Sequence, residues 1–420
     1  MMDLSPLRIS RDFRLIFTGA TVSGFGSFIS FVTIPWQVAQ ITNDPLLVGL
    51  LGLCELVPLI VMSFVGGALA DYVDRRKLVL IGEVALSALA LLLLANSLRA
   101  EAHLWVLFLV AGLTAAFEGI QRPAMEGLIP RVVPLEKIAA ATALNSLSAQ
   151  VRQLAGPGLA GVLIATVDLH WVYAFDLATF VVSLVCLWLV KAVPPPPAAD
   201  RPSIRSVVDG LRYARSRPEL LGTYLVDINA MFFGMPSALY PFIANDLGGP
   251  EVLGLLYAAP AIGSMIATLT SAWVGRVHRH GLMVVLAAGG WGLGIIGAGL
   301  ANSLWLVVAC LAFAGAADMI SGLFRATIWN QTIPDHLRGR LAGIEMISYS
   351  VGPLLGGTRA GLVAKFTGVG GSIVSGGVLC VLGTIALAAA LPTFLRYDGR
   401  DGLERKRTAD EDWAKAAENR

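Results

Sequence analysis

Twelve apolar runs of roughly twenty residues constrain the fold of this chain more than any other feature. They lie at 13–40, 46–70, 78–97, 103–122, 137–165, 171–191, 219–244, 251–275, 282–301, 304–329, 338–364 and 372–395. A helix needs about 20 mainly apolar residues to cross the hydrocarbon core of a bilayer. In lipid every backbone polar group must be satisfied within the protein. We therefore expect an all-α integral membrane protein with twelve transmembrane helices, called spans 1 to 12.

The composition agrees, because 56% of the 420 residues are hydrophobic and only 14% are charged. Soluble domains have about 45–50% apolar and about 25% charged residues. The net charge of +2 gives no field that would attract a polyanion, so we expect no nucleic-acid partner. The four cysteines stand singly, without metal-ligand spacing, and we expect no metal or cofactor.

A polar segment divides the spans into two sets of six. Residues 192–218 begin with Pro194 to Pro197 and continue with several arginines. We expect four parts: an N-terminal bundle at 1–191, a linker at 192–218, a C-terminal bundle at 219–395 and a tail at 396–420. Lys and Arg concentrate at both termini and in the linker, which predicts that these are cytoplasmic.

Short strings repeat at a nearly constant offset between the two halves. Val48-Gly49-Leu50-Leu51 recurs as Leu253-Gly254-Leu255-Leu256, and Arg122 corresponds to Arg325. Six spans are an even number, so the two bundles should be parallel repeats. Such repeats place a substrate site between them near the middle of the membrane.

The loop between spans 2 and 3 carries a recognisable motif. Gly67 is followed by Asp71 and then by Arg75, Arg76 and Lys77. This pattern resembles the cytoplasmic signature of the major facilitator superfamily. The resemblance implies two six-helix bundles and a latch, formed by Gly67, Asp71, Arg75 and Arg76, that holds the outward-facing state. It also implies arginines paired with nearby acids, Glu126 being a candidate. A plain cytoplasmic basic loop is the alternative.

Span 5 contains Gly156, Pro157 and Gly161, and Gly352-Pro353 echoes this in span 11. The motif is similar to the glycine–proline motif of exporters in the superfamily and implies a helix that bends at a gate. A tight helix contact is the alternative. Within the superfamily the chain resembles the branch of bacterial enterobactin (siderophore) and macrolide exporters. That likeness is carried by four strings: Val48-Gly49-Leu50, Leu239-Tyr240-Pro241, Leu255-Leu256-Tyr257-Ala258-Ala259 and Leu337-Arg338-Gly339-Arg340.

The resemblance implies a monomeric secondary transporter in the inner (cytoplasmic) membrane. It would export a small amphipathic molecule, a siderophore, drug or related metabolite, in exchange for protons. Import of a small metabolite is the alternative. We do not expect an enzyme, because no HExxH, paired-carboxylate or Ser/His/Asp arrangement is recognisable. Gly292 to Gly297 matches GxGxxG, but it lies inside a span and not after a strand, so it indicates helix packing.

Ionisable residues inside a span are costly and mark functional sites. Asp318 in span 10 is the first candidate for proton coupling, followed by Asp227 in span 7. Glu118 in span 4 is the third, but it stands four residues before Arg122, which can neutralise it.

The candidates for substrate binding are polar or aromatic residues at mid-depth. They are Gln37, Asn145, Arg152, Phe233, Tyr257 and Arg325. Arg152 is expected either to bind an anionic group or to hold a carboxylate. Phe233 belongs to a Met/Phe run that either lines the cavity or packs in lipid or core.

Further charged residues are Glu55, Glu345 and Arg359, which the sequence does not rank. Glu83 and Asp176 are expected at the membrane interface, because they stand near the ends of their predicted spans. In span 1, the stretch Gly26-Ser27 lacks the acid that some drug exporters of this branch carry there.

Overall fold

The structure, a computed structural model, describes residues 3–193, 212–213, 215–333, 338–400, 402 and 404; of residues 68, 70, 71 and 338–348 it describes only the backbone. Pro194 to Pro197, most of the predicted linker and nearly all of the predicted tail lie outside these ranges. The side chains of Asp71 and Glu345 are likewise outside the description.

Long helices dominate the described residues. They are α1 (Arg11–Thr42), α2 (Pro45–Tyr72), α3 (Arg75–Ser97), α4 (Leu104–Val132), α5 (Ile138–Thr166), α6 (Leu169–Trp188), α7 (Pro218–Gly234), α8 (Pro250–Leu269), α9 (His280–Leu300), α10 (Leu304–Thr332), α11 (338–367) and α12 (369–390). The last two come from one helical run, Arg338–Ala390, that Gly368 interrupts at φ 76° and ψ 169°. Glycine adopts this positive φ without steric cost, so the chain turns there.

Nine of the described helical segments are long and apolar enough to cross a membrane. That count takes the run across Gly368 once. It omits α7, which has 17 residues, and α5, which carries a polar face. Dividing the run and adding both helices gives twelve, and the prediction of a twelve-helix membrane protein is confirmed.

Side-chain caps define where the first helices begin. The Ser10 hydroxyl accepts a hydrogen bond from Phe13 N at 3.1 Å and starts α1. Asp44 accepts from Leu46 N at 2.9 Å and starts α2, and Asp74 accepts from Arg76 N at 2.9 Å and starts α3. Each such cap satisfies an otherwise unpaired N–H and contributes about 1 kcal/mol.

Span 7 is shorter than predicted. The apolar run predicts one helix over 219–244, but α7 ends at Gly234 and a separate short helix covers Tyr240–Leu247. The reason is Pro236, because a residue before proline is driven out of the helical region. Met235 accordingly has φ −94° and ψ 105°. Span 8 is shortened too, since α8 ends at Leu269 and a 3-10 helix follows over Ser271–Arg276.

Large apolar side chains cover the outer faces of the helices, as a lipid-facing surface requires. Tryptophans stand near helix ends and are strongly exposed: Trp105 at 62%, Trp171 at 62%, Trp188 at 71% and Trp305 at 73%. Tryptophan is enriched at both membrane–water interfaces. Their positions at the ends of α4, α6 and α10 fit this tendency.

The chain divides into two compact units. Unit 1 comprises Met1–Pro202 and Tyr240–Ala258, and unit 2 comprises Ser203–Leu239 and Ala259–Arg420. The predicted domain limits stay a prediction.

Equivalent helices pair within each unit. In unit 1, α1 packs on α6, α2 on α4 and α3 on α4. In unit 2, α7 packs on α12, α8 on α10 and α9 on α10.

The internal repeat extends to individual contacts between helices. Gly26 of α1 faces Asp176 of α6, and in unit 2 Asn229 of α7 faces Gly383 of α12. The glycine and the polar residue have exchanged helices, but the crossing point is the same. The Asn229 amide donates to the Cys380 carbonyl at 2.9 Å and so ties α7 to α12.

Candidate functional site

Unit 2 contains a cluster of three charged side chains inside the membrane region. Arg325 of α10 forms an ion pair with Asp227 of α7, and its Nη2 lies 3.5 Å from Asp318 Oδ1 on its own helix. Asp318 and Arg325 are seven residues apart, so they share one face of α10. All three residues are candidates for separate reasons in the sequence, and the structure brings them together.

The two carboxylates differ in access. The side chains of Arg325 and Asp227 are each 4% exposed, whereas that of Asp318 is 39% exposed. Tyr349 adds an aromatic ring, whose centroid lies 6.0 Å from the Arg325 guanidinium carbon. With both carboxyl groups ionised the cluster has a net charge of −1. One added proton makes it neutral, and Asp318 is the more exposed of the two acids.

Unit 1 contains a cavity of about 100 Å³ among helices α1, α2, α3, α4 and α6. Its walls are mainly apolar, but three acids line it: Glu55, Glu118 and Asp176. The Ser30 hydroxyl donates to Asp176 Oδ2. The other oxygen, Oδ1, is buried and has no hydrogen-bond partner among the described residues.

Asp176 and Glu83 correct the sequence analysis, which placed both at the interface. Asp176 is 2% exposed and Glu83 is 5% exposed. The helices begin at Leu169 and Arg75, two and three residues before the predicted starts at 171 and 78, so both acids lie about two turns inside their helices. An acid inside a span is energetically costly, and this cost is the sequence signal that could have marked Asp176 and Glu83 as functional candidates.

Glu118 does not take Arg122 as its hydrogen-bonded partner. Arg122 Nε lies 3.3 Å from Glu126 Oε1 instead, and both of these side chains are exposed. Glu118 faces the cavity in unit 1.

Arg152 of α5 turns towards α1. Its Nη1 donates to the Ala20 carbonyl at 2.8 Å, and it packs so closely on Gly24 that a Cβ there would collide with it. Among the described residues its partners are backbone carbonyls and not carboxylates. Asn145 lies one turn before Ser148 on the same helix, and its amide nitrogen is buried without a partner in the described part of the chain.

The remaining substrate candidates have different surroundings. Gln37 is 4% exposed and accepts a 2.6 Å hydrogen bond from the Tyr173 hydroxyl, so part of its hydrogen-bonding capacity is already used. Tyr257 stacks edge-on against Phe31, which lines the cavity of unit 1, with ring centroids 5.8 Å apart. Phe233 is half-buried and lies 4.9 Å from Phe232, ring to ring.

The arginines at the start of α3 donate hydrogen bonds to backbone carbonyl groups of neighbouring helices. Arg75 Nη1 donates to the Gly127 carbonyl at 2.6 Å, and Arg76 Nε donates to the Leu187 carbonyl at 3.0 Å. Leu187 is in the last turn of α6, where unpaired carbonyls attract cations. These bonds join α3 to α4 and α6, and the expected pairing of the arginines with acids such as Glu126 stays a prediction.

Close helix packing next to this loop occurs at Gly66 and not at Gly67. A Cβ at Gly66 would lie 2.5 Å from the Ile120 Cα, whereas a Cβ at Gly67 would meet nothing within 4 Å. The close approach of the two helices beside this loop therefore occurs at Gly66.

The glycine–proline motif of α5 makes tight contacts on two sides. A Cβ at Gly156 would lie 2.6 Å from Phe28 Cβ. A Cβ at Gly161 would lie 2.8 Å from the Gly254 backbone nitrogen, and one at Gly254 would lie 2.6 Å from the Pro157 carbonyl oxygen. Two helix backbones approach closely here, which is the packing alternative that the sequence analysis considered.

A comparison with protein families extends these observations to nearly the whole chain. The family model described as "Transmembrane secretion effector" matches residues 1–406. Similar curated proteins include the enterobactin exporter EntS of Shigella boydii serotype 4 (strain Sb227), 28% identical over 392 residues that cover 92% of this chain and 94% of that protein. EntS of Citrobacter koseri is 29% identical over 391 residues, again covering 92% and 94%.

Solved structures support the fold. The inward-facing structure of a bacterial homologue of the human lysosomal transporter Spinster gives a TM-score of 0.69 at 15% identity, covering 94% of this chain and 97% of that one. A D-xylose–proton symporter gives 0.67 at 15% identity, covering 90% and 96%. The expected fold is confirmed, and the chain belongs to the transmembrane secretion effector family of the major facilitator superfamily, whose members are membrane transporters and not enzymes.

Proposed function

We propose that this chain is a proton-driven exporter of a small amphipathic molecule, such as a siderophore, a drug or a related metabolite. The cluster of Asp227, Asp318 and Arg325 is the observation that carries the proposal. Export as the direction is supported by the family description and by the relatives named as exporters.

The cluster offers a physical basis for coupling. Asp227 keeps Arg325 neutralised within the bundle, while the more exposed Asp318 gains or loses a proton. A proton changes a conformational equilibrium only if it binds the two states with different affinity. Loss of the Asp318 charge removes one of the two carboxylates that lie near Arg325 among the described residues. The proton would therefore weaken a conformation in which Arg325 contacts both aspartates relative to one in which it does not.

The proposal includes the finer points that the sequence analysis raised. The chain acts as a monomer in the inner membrane, with both termini and the linker in the cytoplasm. Residues 1–191 and 219–395 are its two functional halves. Gly67, Asp71, Arg75 and Arg76 form the latch, and the helix with Gly156, Pro157 and Gly161 acts at a gate.

Transport into inverted membrane vesicles tests the proposal. The vesicles contain the full chain and an inside-acid proton gradient, and the cargoes are enterobactin, after the relatives, and erythromycin, after the macrolide branch. We expect uncoupler-sensitive accumulation of at least one of them. Accumulation only in right-side-out vesicles indicates the importer alternative, and accumulation in neither preparation also contradicts the proposal.

Asp318→Asn identifies the coupling acid in this assay. We expect this variant to bind cargo but to lose gradient-driven accumulation. Asp246→Asn is the matched control, because Asp246 is an exposed acid in the short helix Tyr240–Leu247. Full accumulation by Asp318→Asn removes that residue from the mechanism.

A further inference from the structure

The cavity of unit 1 has three acids on its walls and no basic residue among the described residues that line it. Because Glu55, Glu118 and Asp176 line the same cavity, their ionised carboxylates would repel one another. An uncompensated charge in a low-dielectric region costs several kcal/mol, which a counter-charge removes. The cavity therefore favours a positively charged occupant and disfavours an anion.

Asp176 shows what kind of cation the cavity suits. The residue is 2% exposed, and its Oδ2 accepts from Ser30, but its Oδ1 is buried and has no donor among the described residues. A buried acceptor without a donor costs about 1–3 kcal/mol. An N–H group of the occupant would satisfy it, which a quaternary ammonium cannot do.

The other walls suit an organic group. Phe31 and Phe180 line the cavity together with Leu86, Leu89 and Leu93. Aromatic faces attract cations, and leucines pack against hydrocarbon. A bare metal ion needs several oxygen ligands at once. Among the described residues no group of three His, Cys, Asp or Glu side chains is placed to hold one.

The size of the cavity sets a limit. Its volume of about 100 Å³ has room for several water molecules. A proton alone requires no such space. The space is therefore more than a proton needs, and it can receive a charged group of an organic molecule.

We propose that this cavity, lined by Glu55, Glu118 and Asp176, binds the protonated primary, secondary or tertiary amine of an amphipathic cargo. The inference rests on the proposed function in treating the occupant as cargo, but binding itself needs no transport. It makes a protonated amine the chemical group that this cavity takes from its cargo.

Equilibrium binding of tritiated phenethylammonium to the purified full chain in lipid nanodiscs tests the inference. No gradient is applied, and the pH is neutral, so a failure of coupling does not affect the result. We expect saturable binding that unlabelled phenethylammonium displaces. Phenethyltrimethylammonium, which has no N–H, and the uncharged 2-phenylethanol should displace it at least about tenfold less well.

Variants locate the site. Asp176→Asn should weaken binding about tenfold or more, because a charge-assisted hydrogen bond is lost. Glu118→Gln should also weaken it, and this residue is exposed to the cavity, so folding should be retained. Asp168→Asn is the matched control, as an exposed acid that precedes α6.

Three results overturn the inference: no saturable binding, binding that both cavity variants leave unchanged, and displacement by sodium chloride at constant ionic strength but not by amines. The last result assigns the cavity to an inorganic cation. None of them bears on vesicle transport of cargo, which tests the proposed function separately.

Discussion

Replacing Asp227 with Asn removes the carboxylate that pairs with Arg325 where both side chains are only 4% exposed. Removing one partner of a buried ion pair costs about 3–5 kcal/mol, because the other charge remains in a low-dielectric site. Here Asp318 stays 3.5 Å from the same guanidinium and offsets part of the loss. We therefore expect a cost at the lower end, about 3 kcal/mol.

Asp318→Asn removes the second carboxylate, with a smaller expected effect. Its side chain is 39% exposed, so its interaction with Arg325 is screened. Pairs with this access contribute about 0–1 kcal/mol. The two aspartates thus share one partner but should differ by about 2 kcal/mol or more in their effect on stability.

Thermal unfolding of the purified protein, followed by size-exclusion chromatography, measures this difference. We expect Asp227→Asn to lower Tm by several degrees and Asp318→Asn to leave it nearly unchanged. The double variant Asp227→Asn/Arg325→Met should recover part of the loss, since it removes both buried charges.

The reasoning is refuted if Asp318→Asn lowers Tm as much as Asp227→Asn does. It is also refuted if the double variant is less stable than Asp227→Asn by as much as Arg325→Met alone destabilises the wild type.

Three further predictions concern packing and charge. Gly161→Leu should lower the yield of folded protein and Tm, because its Cβ alone meets the facing backbone, whereas Gly158→Ala should not, since a Cβ there meets nothing within 4 Å; equal Tm values for the two variants contradict this. Arg76→Ala should cost about 1–2 kcal/mol through loss of hydrogen bonds to the end of α6, while exposed Lys77→Ala should cost much less, and equal losses count against the role of the loop. Hydrogen bonds from Ser5 and then Lys137 lower the pKa of Asp3 to about 2, so its contribution to stability is complete above the unfolded pKa of about 4 and disappears as the pH falls through about 2; an NMR midpoint near 4 for the labelled carboxyl carbon contradicts this.

Hydropathy predicted the helices well, because the thickness of the bilayer fixes the length of each apolar run. It failed at α7, where the run continues through Pro236 but the helix does not. The signal was in the sequence, since proline restricts the residue before it. An apolar segment next to a proline still looks like a span to a method that counts only hydropathy.

The charged residues show a second limit. The cost of a charge in lipid identified Asp227, Asp318 and Arg325 one by one. Their meeting depends on the rotation of α7 against α10, which the sequence pattern does not report. The same holds for Asp176. Its Oδ1 is buried without a hydrogen-bond donor among the described residues, and this follows from the packing of α1 against α6, which the sequence does not report.

Glycine motifs gave the right region but not always the right residue. Gly161 makes a close contact, as a helix-packing motif predicts, but beside the loop Gly66 does so and Gly67 does not. Adjacent glycines are indistinguishable to a motif, whereas a rotation of 100° along the helix points them in different directions.

Cargo exchange compared with cargo accumulation in Asp318→Asn vesicles tests the central claim most directly. Exchange is measured at equal pH on both sides of the membrane. Accumulation is measured with an inside-acid gradient, which drives cargo into the vesicles. If Asp318 carries the coupling proton, the variant exchanges cargo at a rate near that of the wild type but accumulates none. If the variant accumulates cargo as the wild type does, proton coupling through Asp318 is contradicted.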